Sequence, residues 1–481
     1  MAFEVPDARL FVDSRFHDDA PSRPVVDPWT LAPLASVGQA DLERARAAVA
    51  ASVVAFAGLG RLAAYERRDM LRAIAAALTD KREWLAELIA REAGKPIVQA
   101  RAEVARAVCT FELGAEEATR IGGEVMPLDI TPAGRSATGH WVRVPAGPVV
   151  GIAPFNFPLN LVAHKVAPAL ACGASIVLKP PPQAPLTSIA LAAIVREACP
   201  VPDALQVVPC EVLVAEALVK DERFATLSFT GSARVGWHLK SIAGKKRVLL
   251  ELGGNAAAIV HEDADARFAA ERIVPAAFGY AGQVCIKVQR VYAHRAITAA
   301  LTEQLVARAQ AIAPGSPLDP GTVLGPMIDL ANACRVEAWI AEAVQAGARL
   351  LTPVHRENSR LGPVILAVDG AGAGMKVVDE EVFGPVLTLH TYDTWSDALR
   401  MADATRYGLQ AGVFTDSHAR IHEAFRTLHV GALIVNDVPT FRVDSMPYGG
   451  TRDSGIGREG VRFAIEEMTE RKLLVFRDAG S

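Results

Sequence analysis

Polar and apolar residues fall into alternating blocks along most of this chain. Residues 1–38 are rich in Pro and Asp and read as an extended N-terminal segment, and from Asp41 the composition turns helical. The apolar, alanine-rich stretch 47–60 predicts a buried or amphipathic helix. Asp80-Lys81-Arg82-Glu83 has the form of a capping box opening a helix that runs to Gly94, with Pro96 beyond it as a stop. A further helix is expected over 98–119, broken by Gly122-Gly123. Short apolar runs at 140–144 and 148–152, around a Pro-Ala-Gly-Pro turn, predict strands.

Beyond this point strand-like and helix-like runs alternate. Strands are predicted at 174–178, 205–208, 226–229, 247–250 and 256–260, with helices at 184–198, 211–219 and 233–242 between them. Such alternation argues for a parallel, doubly wound sheet with ligands at its carboxyl edge. A second series follows: a helix from Ala264, a strand near 290–293, helices near 297–312 and 328–346, and strands near Val364, Leu387 and Val413. It predicts a second α/β domain, the one that carries Cys285. The tail 467–476 reads as a strand far from its sequence neighbours.

Length supports this division, since 481 residues exceed what one hydrophobic core sustains. A net charge of −4 with both signs interspersed offers no basic stripe for nucleic acid. Six scattered cysteines, none in a C-x-x-C pair, accord with a reducing cytoplasm. The N-terminus has no basic-then-apolar leader pattern, and the 47–60 stretch is shorter than the roughly 20 residues of a membrane span. No metal-ligand spacing such as H-E-x-x-H occurs. A soluble, cytoplasmic protein is expected, without a metal and without nucleic-acid or membrane partners.

Candidate chemistry concentrates in Phe278-Gly279-Tyr280-Ala281-Gly282-Gln283-Val284-Cys285-Ile286, where a thiol follows a glycine-containing turn. Glu251 lies 34 residues upstream, ahead of Gly253-Gly254 at the end of an apolar run. Asn156 stands between Pro154 and Pro158, with its backbone restricted and its amide pre-aimed. A nucleophile, a general base and an oxyanion donor are the requirements of thioester chemistry. Each also has an ordinary reading: a cysteine is usually a small buried hydrophobe, Glu251 a strand-end carboxylate, Asn156 a turn cap. The first is taken for Cys109, Cys172, Cys199, Cys210 and Cys334.

Gly58-x-Gly60-x-x-Ala63 fits a dinucleotide fingerprint superficially, but it sits in helical sequence with no strand before it. Ser228-Phe229-Thr230-Gly231-Ser232 is the better candidate. A strand ends there, Gly231 permits close approach, and Ser232 caps the next helix beside free N–H groups. Lys179, at the end of another strand, is read either as a ribose or phosphate contact or as a solvated strand end.

The order and spacing of these motifs resemble the aldehyde dehydrogenase superfamily, from about Trp29 to the C-terminus. The resemblance implies an α/β fold of two doubly wound, Rossmann-like domains plus a small β oligomerisation element. Residues 1–120 and 143–253 would form the dinucleotide-binding domain and 254–462 the catalytic domain. Residues 121–142 and 463–481 would supply strands that join a neighbouring subunit in a homodimer or homotetramer. NAD or NADP is the implied cofactor, contacted by Lys179, Pro154, Phe155, Gly231 and Ser232, with Glu381 and Phe383 holding the nicotinamide ribose and ring. NAD-preferring members often carry a glutamate three residues after the lysine; here Pro182 stands there, which leaves room for a 2′-phosphate. Cys285 would attack an aldehyde, Asn156 and the Cys285 N–H would hold the alkoxide, and Glu251 would activate water. Lys165 and Glu459 would relay protons, or else form an unremarkable surface ion pair.

The nearest branch contains lactaldehyde and phosphonoacetaldehyde dehydrogenases, on the strength of 156–165 and 436–450. In the phosphonoacetaldehyde group an arginine precedes the nucleophile, and here it is Val284. Tunnel positions hold Arg106, His164 and Arg442, which favours a small anionic or hydroxylated aldehyde. The ordinary alternatives are Arg106 paired with Glu103 or another helix carboxylate and Arg442 facing solvent. Coenzyme A-acylating relatives typically lack the base at Glu251, so hydrolytic release is expected. The competing functions are a cofactor-independent cysteine acyltransferase or hydrolase, and a catalytically silent binding protein of the same fold.

Overall fold

The computed structural model describes residues 3–370 and 372–478. A six-stranded sheet runs in the order Gly455–Ile456, Arg247–Glu251, Thr226–Thr230, Val149–Ile152, Ile176–Lys179, Leu205–Val207. All neighbours are parallel except Gly455–Ile456. Chain order reverses between Val149–Ile152 and Thr226–Thr230, which opens a crevice beyond their carboxyl ends. A seven-stranded sheet is centred on Val288–His294 and Ala256–Val260, again parallel apart from the edge strand Arg349–Leu350. Apolar helix faces cover both sheets, as continuous Val, Ile, Leu and Ala runs require when neither face meets water.

A third, antiparallel sheet pairs Thr469–Arg477 with Ala137–Pro145, and Ala137–Pro145 with Gly123–Pro127. Thr469–Arg477 is an edge strand whose Leu473, Leu474, Val475 and Phe476 are exposed. No helix among the described residues is long and apolar enough to cross a membrane.

The helix Asn160–Cys172 has no counterpart in the sequence reading. All its residues are buried, so it shows no polar stripe from which a helical period can be read, and Pro168 lies inside it. Its first turn is capped by a side chain remote in sequence. Glu103 accepts the Leu159 and Asn160 N–H groups at 2.9 and 3.1 Å, and its other oxygen pairs with Lys95. The Lys95 ammonium stands 3.5 Å over the Phe157 ring; burial pushes its pKa down to about 8 while Glu103 opposes the shift.

Several sequence expectations are corrected. Asp80 does not open a helix: it is the last residue of Ala64–Asp80, and Arg82–Ala93 begins after Lys81 with no side-chain cap. Its other end matches, with Gly94 left-handed at φ 66°. Cys109 and Cys334 are exposed rather than buried. Gly58 lies within the helix Leu42–Leu59 and Gly60 ends it, so that glycine pair frames no phosphate turn.

The Glu103 cap gives a direct test of what holds the buried helix. Glu103→Ala strands Lys95 and two N–H groups, and is expected to lower unfolding stability by about 3 kcal/mol or more in a urea titration. A loss below about 1 kcal/mol would show that the cap contributes little.

Candidate active site

The thiol is delivered by an unusual turn. After the helix Ala266–Phe278, Tyr280, Ala281 and Gly282 take φ values of 52°, 54° and 66°, three successive left-handed residues. At Gly282 a Cβ would strike the Gly384 carbonyl, so only glycine fits. The turn sets Cys285 just ahead of the strand Val288–His294, half-buried, with its Sγ 3.0 Å from the Tyr448 hydroxyl. Burial pushes the thiol up to about 11; the Tyr448 hydrogen bond pulls it back, and Glu381 pushes it further up.

Asn156 is tied to the same turn. Its Nδ2 donates to the Gln283 carbonyl at 3.0 Å, which leaves its second amide hydrogen free. Glu251 ends its strand buried, and neither carboxylate oxygen has a hydrogen-bond partner among the described residues. Burial, followed by the nearby Glu459 charge, pushes Glu251 well above the usual carboxylate range. Gly449 leaves the room it occupies: a Cβ there would come within 2.8 Å of Oε1.

Lys165 and Glu459 are not on the surface. Each side chain is 1% exposed and they stand 3.6 Å apart. Lys165 donates to Ser228 and Thr230 at 3.1 and 2.7 Å, while Arg442 donates to the second Glu459 oxygen at 3.1 Å. Against the cost of burial, Lys165, His164 and Arg442 hold Glu459 below its ordinary pKa.

Arg106, His164 and Arg442 do converge, but on carboxylates of this chain. Arg106 grips Asp444 through two hydrogen bonds at 3.1 and 2.7 Å, and His164 meets the same carboxylate at 2.8 Å. The carboxylate is neither Glu103 nor on a helix, as the ordinary reading of Arg106 had it. Arg442 does not face solvent: its side chain is 7% exposed and its guanidinium lies 3.7 Å over the Tyr448 ring. Its Nε is buried without a partner among the described residues.

On the other side of Cys285 a cleft of about 750 Å³ opens along the carboxyl edge of the first sheet. It brings Cys285, Asn156 and Glu251 together with Lys179, Pro154, Phe155, Gly231, Ser232, Glu381 and Phe383. Arg106, His164 and Arg442 do not line it. Gly231 keeps the sheet end open, since a Cβ there would meet the Phe229 ring. Ser232 holds the N-cap position of the helix Ala233–Ile242, but its hydroxyl makes no capping bond and is exposed, contrary to the expected cap. Lys179 is half-buried, which pushes its pKa down, rather than a solvated strand end. At the far end Glu381 accepts the Gly254 N–H at 3.2 Å and is pushed by burial up to about 7. Phe383, left-handed at φ 47°, packs edge-on to Phe155 at 5.8 Å. An elongated cleft with backbone N–H groups and a lysine at one end and a carboxylate beside the thiol fits a dinucleotide.

Sequence reasoning assigned no role to Tyr448, Asp444 or Arg335. The first two lie within the 436–450 stretch, where a phenol and a carboxylate in a Pro- and Gly-rich loop were the available signal. Arg335 lies mid-helix, carries no such signal, and donates to the Val382 carbonyl at 3.0 Å.

Comparison with known proteins agrees with this geometry. The family model described as "Aldehyde dehydrogenase family" matches residues 16–474. The 3-sulfolactaldehyde dehydrogenase of Priestia megaterium is 40% identical over 97% of both chains. Among solved structures, aldehyde dehydrogenase 21 of Physcomitrella patens in complex with the product succinate is 40% identical, with a TM-score of 0.95 over 98% of each chain. The glyceraldehyde-3-phosphate dehydrogenase GapN of Methanocaldococcus jannaschii, complexed with NADP, is 35% identical at a TM-score of 0.91, covering 95% of this chain and 99% of that one.

The state of the thiol is testable on the free protein. With Cys285 held up to about 11, its alkylation by iodoacetamide should rise about tenfold per pH unit between pH 7 and 9, because the thiolate is the nucleophile. Mass spectrometry of the Cys285 peptide reads this directly. A rate already flat at pH 7 would mean that the thiolate is stabilised by something other than Tyr448.

Proposed function

The chain belongs to the aldehyde dehydrogenase family, an NAD(P)-dependent enzyme of its lactaldehyde-like branch, and from that premise we propose that it oxidises a small anionic aldehyde to the acid and releases it by hydrolysis. One observation carries the reading: Cys285, Asn156 and Glu251 share a cleft with Lys179, Ser232 and Glu381. A cofactor-independent acyltransferase or hydrolase would leave the second set without a task. A silent binding protein would not need the first.

As Cys285 Sγ bonds to the carbonyl carbon, its proton passes to the Glu251 carboxylate and the carbonyl electron pair moves onto the oxygen as an alkoxide. The free amide hydrogen of Asn156 and the Cys285 N–H then hold the alkoxide. The dinucleotide, when bound, supplies the hydride acceptor. Lys179 and the N–H groups beside Gly231 and Ser232 hold its adenosine and phosphate end, and Glu381 and Phe383 its ribose and nicotinamide ring. Loss of hydride from the carbon leaves a thioester on Cys285. Glu251, without hydrogen bonds that fix it, turns toward this carbon and takes a proton from water as the water oxygen bonds to the carbon. The C–S bond then breaks, the acid leaves, and Glu251 returns the proton to the Cys285 thiolate. Before water reacts, Glu251 must lose the proton received from Cys285, and the adjoining Lys165–Glu459 pair provides the exit. Either dinucleotide is used by the family; with Pro182 where a carboxylate would exclude a 2′-phosphate and Arg234 at the cleft wall, NADP is favoured here.

For the substrate, Asp444 and Glu459 already balance Arg106 and Arg442. What remains is a set of donors on the face of Arg106 turned away from Asp444, a side chain 29% exposed. Donors of this kind suit a carboxylate, sulfonate or phosphate. Three of the named relatives support this, since sulfolactaldehyde, the semialdehyde that gives succinate and glyceraldehyde 3-phosphate are short aldehydes with an anionic tail, while relatives named as lactaldehyde dehydrogenases favour a small hydroxylated one. Six free cysteines accord with work in a reducing compartment such as the cytoplasm. The unpaired edge of Thr469–Arg477, with its exposed apolar side chains, is assigned to a second copy of the chain.

The test is a panel of succinate semialdehyde, sulfolactaldehyde, lactaldehyde, phosphonoacetaldehyde and benzaldehyde against both dinucleotides, with and without coenzyme A. An anionic aldehyde should lead and the free acid should form in either case; dominance of benzaldehyde, or of acyl-CoA, would overturn the reading. In Arg106→Leu the KM for the anionic substrate should rise about ten- to a hundredfold, the range expected for lost hydrogen bonds to a charged group. The KM for benzaldehyde should change little. Sedimentation provides the separate check on assembly: a lone 51.1 kDa species would rule out the assignment of the edge strand.

A further inference from the structure

The turn 380–385, which carries Glu381 and Phe383, is held from below by the chain segment that carries the nucleophile. Gln289 donates to the carbonyls of Val377 and Glu380 at 3.1 and 2.6 Å and accepts the Val382 N–H at 2.9 Å. Two residues nearer the thiol, Lys287 donates to the Val386 carbonyl at 2.6 Å, just past the turn's other end. Lys287 is only 3% exposed, and that carbonyl is the single hydrogen-bond partner of its ammonium among the described residues. A buried ammonium has three protons to satisfy, so one neutral acceptor compensates it poorly.

The missing compensation is electrostatic. Burial pushes Lys287 down to about 7, and Glu381 is the one charged group that opposes that shift. Burial in turn pushes Glu381 up to about 7, and the Gly254 N–H, Lys287 and Arg335 pull it back. Arg335, from the helix Leu330–Gln345, is spent partly on the Val382 carbonyl. Each charge therefore favours the other across the base of the turn.

We propose that Lys287 is a positioning residue for dinucleotide binding: its buried ammonium ties the 380–385 turn to the Cys285 segment and so holds Glu381 where it accepts hydrogen bonds from ribose hydroxyls. This rests on the assignment of Glu381 to the ribose. Lys287 touches neither substrate nor reacting atoms and acts only through Glu381 and the turn.

Dinucleotide affinity of the full chain, measured calorimetrically with NADP and NAD from pH 6 to 9, tests it. Lys287→Met should weaken binding about tenfold at pH 7, and the loss should shrink toward pH 9 as Glu381 ionises without help. Lys287→Gln, which keeps a donor for Val386 but no charge, should show the same pH-dependent loss and covers the case in which the methionine variant folds poorly. Glu381→Gln should weaken binding at every pH, and adding Lys287→Met to it should cost clearly less than Lys287→Met costs alone. A loss that persists in full on the Glu381→Gln background would make Lys287 a packing residue and overturn the proposal. A weakened Glu381→Gln beside an unaffected Lys287→Met would overturn the proposal alone. Wild-type affinity in Glu381→Gln would remove the ribose assignment and the proposal together.

Discussion

The buried contact between Lys165 and Glu459 underlies the rest of this site. Neither charge reaches water, and a buried charge without its partner is strongly destabilising. The pair therefore persists only because everything around it is satisfied as well. Ser228 and Thr230, on the first sheet, accept from Lys165, and Arg442, from the loop beyond the second sheet, donates to Glu459. One polar network thus joins the sheet edge, the helix Asn160–Cys172 and the C-terminal segment. Glu251 is its deliberate gap: next to these charges, yet without a hydrogen bond, it has its pKa raised by burial and its side chain free to turn.

A second constraint registers the thiol against the cofactor-facing groups. Gly282 lies so close to the Gly384 carbonyl that no side chain fits between them, and Gln289 and Lys287 grip both flanks of the 380–385 turn. Nucleophile and turn are thereby held in one register. Reactions between positioned groups lose rate steeply with small displacements, so registration of this kind is what the proposed hydride transfer from a Cys285-bound carbon requires. Three successive left-handed residues are the local strain that this arrangement tolerates.

The fold was largely legible because its strands are continuous apolar runs and most of its helices have one polar face. Where that contrast vanishes, the reading failed. Asn160–Cys172, buried on every side, gave no periodic signal, although it carries His164 and Lys165. Asp80 had the right local chemistry for a cap, but Glu66 and the helix already running through it took precedence. Exposed Cys109 and Cys334 show the opposite case, in which a residue type that is usually buried lies on an outward helix face. In the site, Cys285, Glu251 and Asn156 stood out by their glycine and proline neighbours. Asp444 and Tyr448 did not, because a carboxylate or phenol in a loop becomes meaningful only when its partner is known.

Sequence by itself determined the alternation of strands and helices, the two doubly wound units, the family, and which side chains are chemically equipped to act. Those follow from local composition and from motifs whose parts are near neighbours. Tertiary structure alone decided which charges cancel. That Arg106 is answered by Asp444 across 338 positions, and Arg442 by Glu459, depends on where burial brings distant segments together, and no local pattern records it. The same holds for Lys287 and Glu381: low dielectric makes each responsive to the other, and only the packed chain shows that they share it.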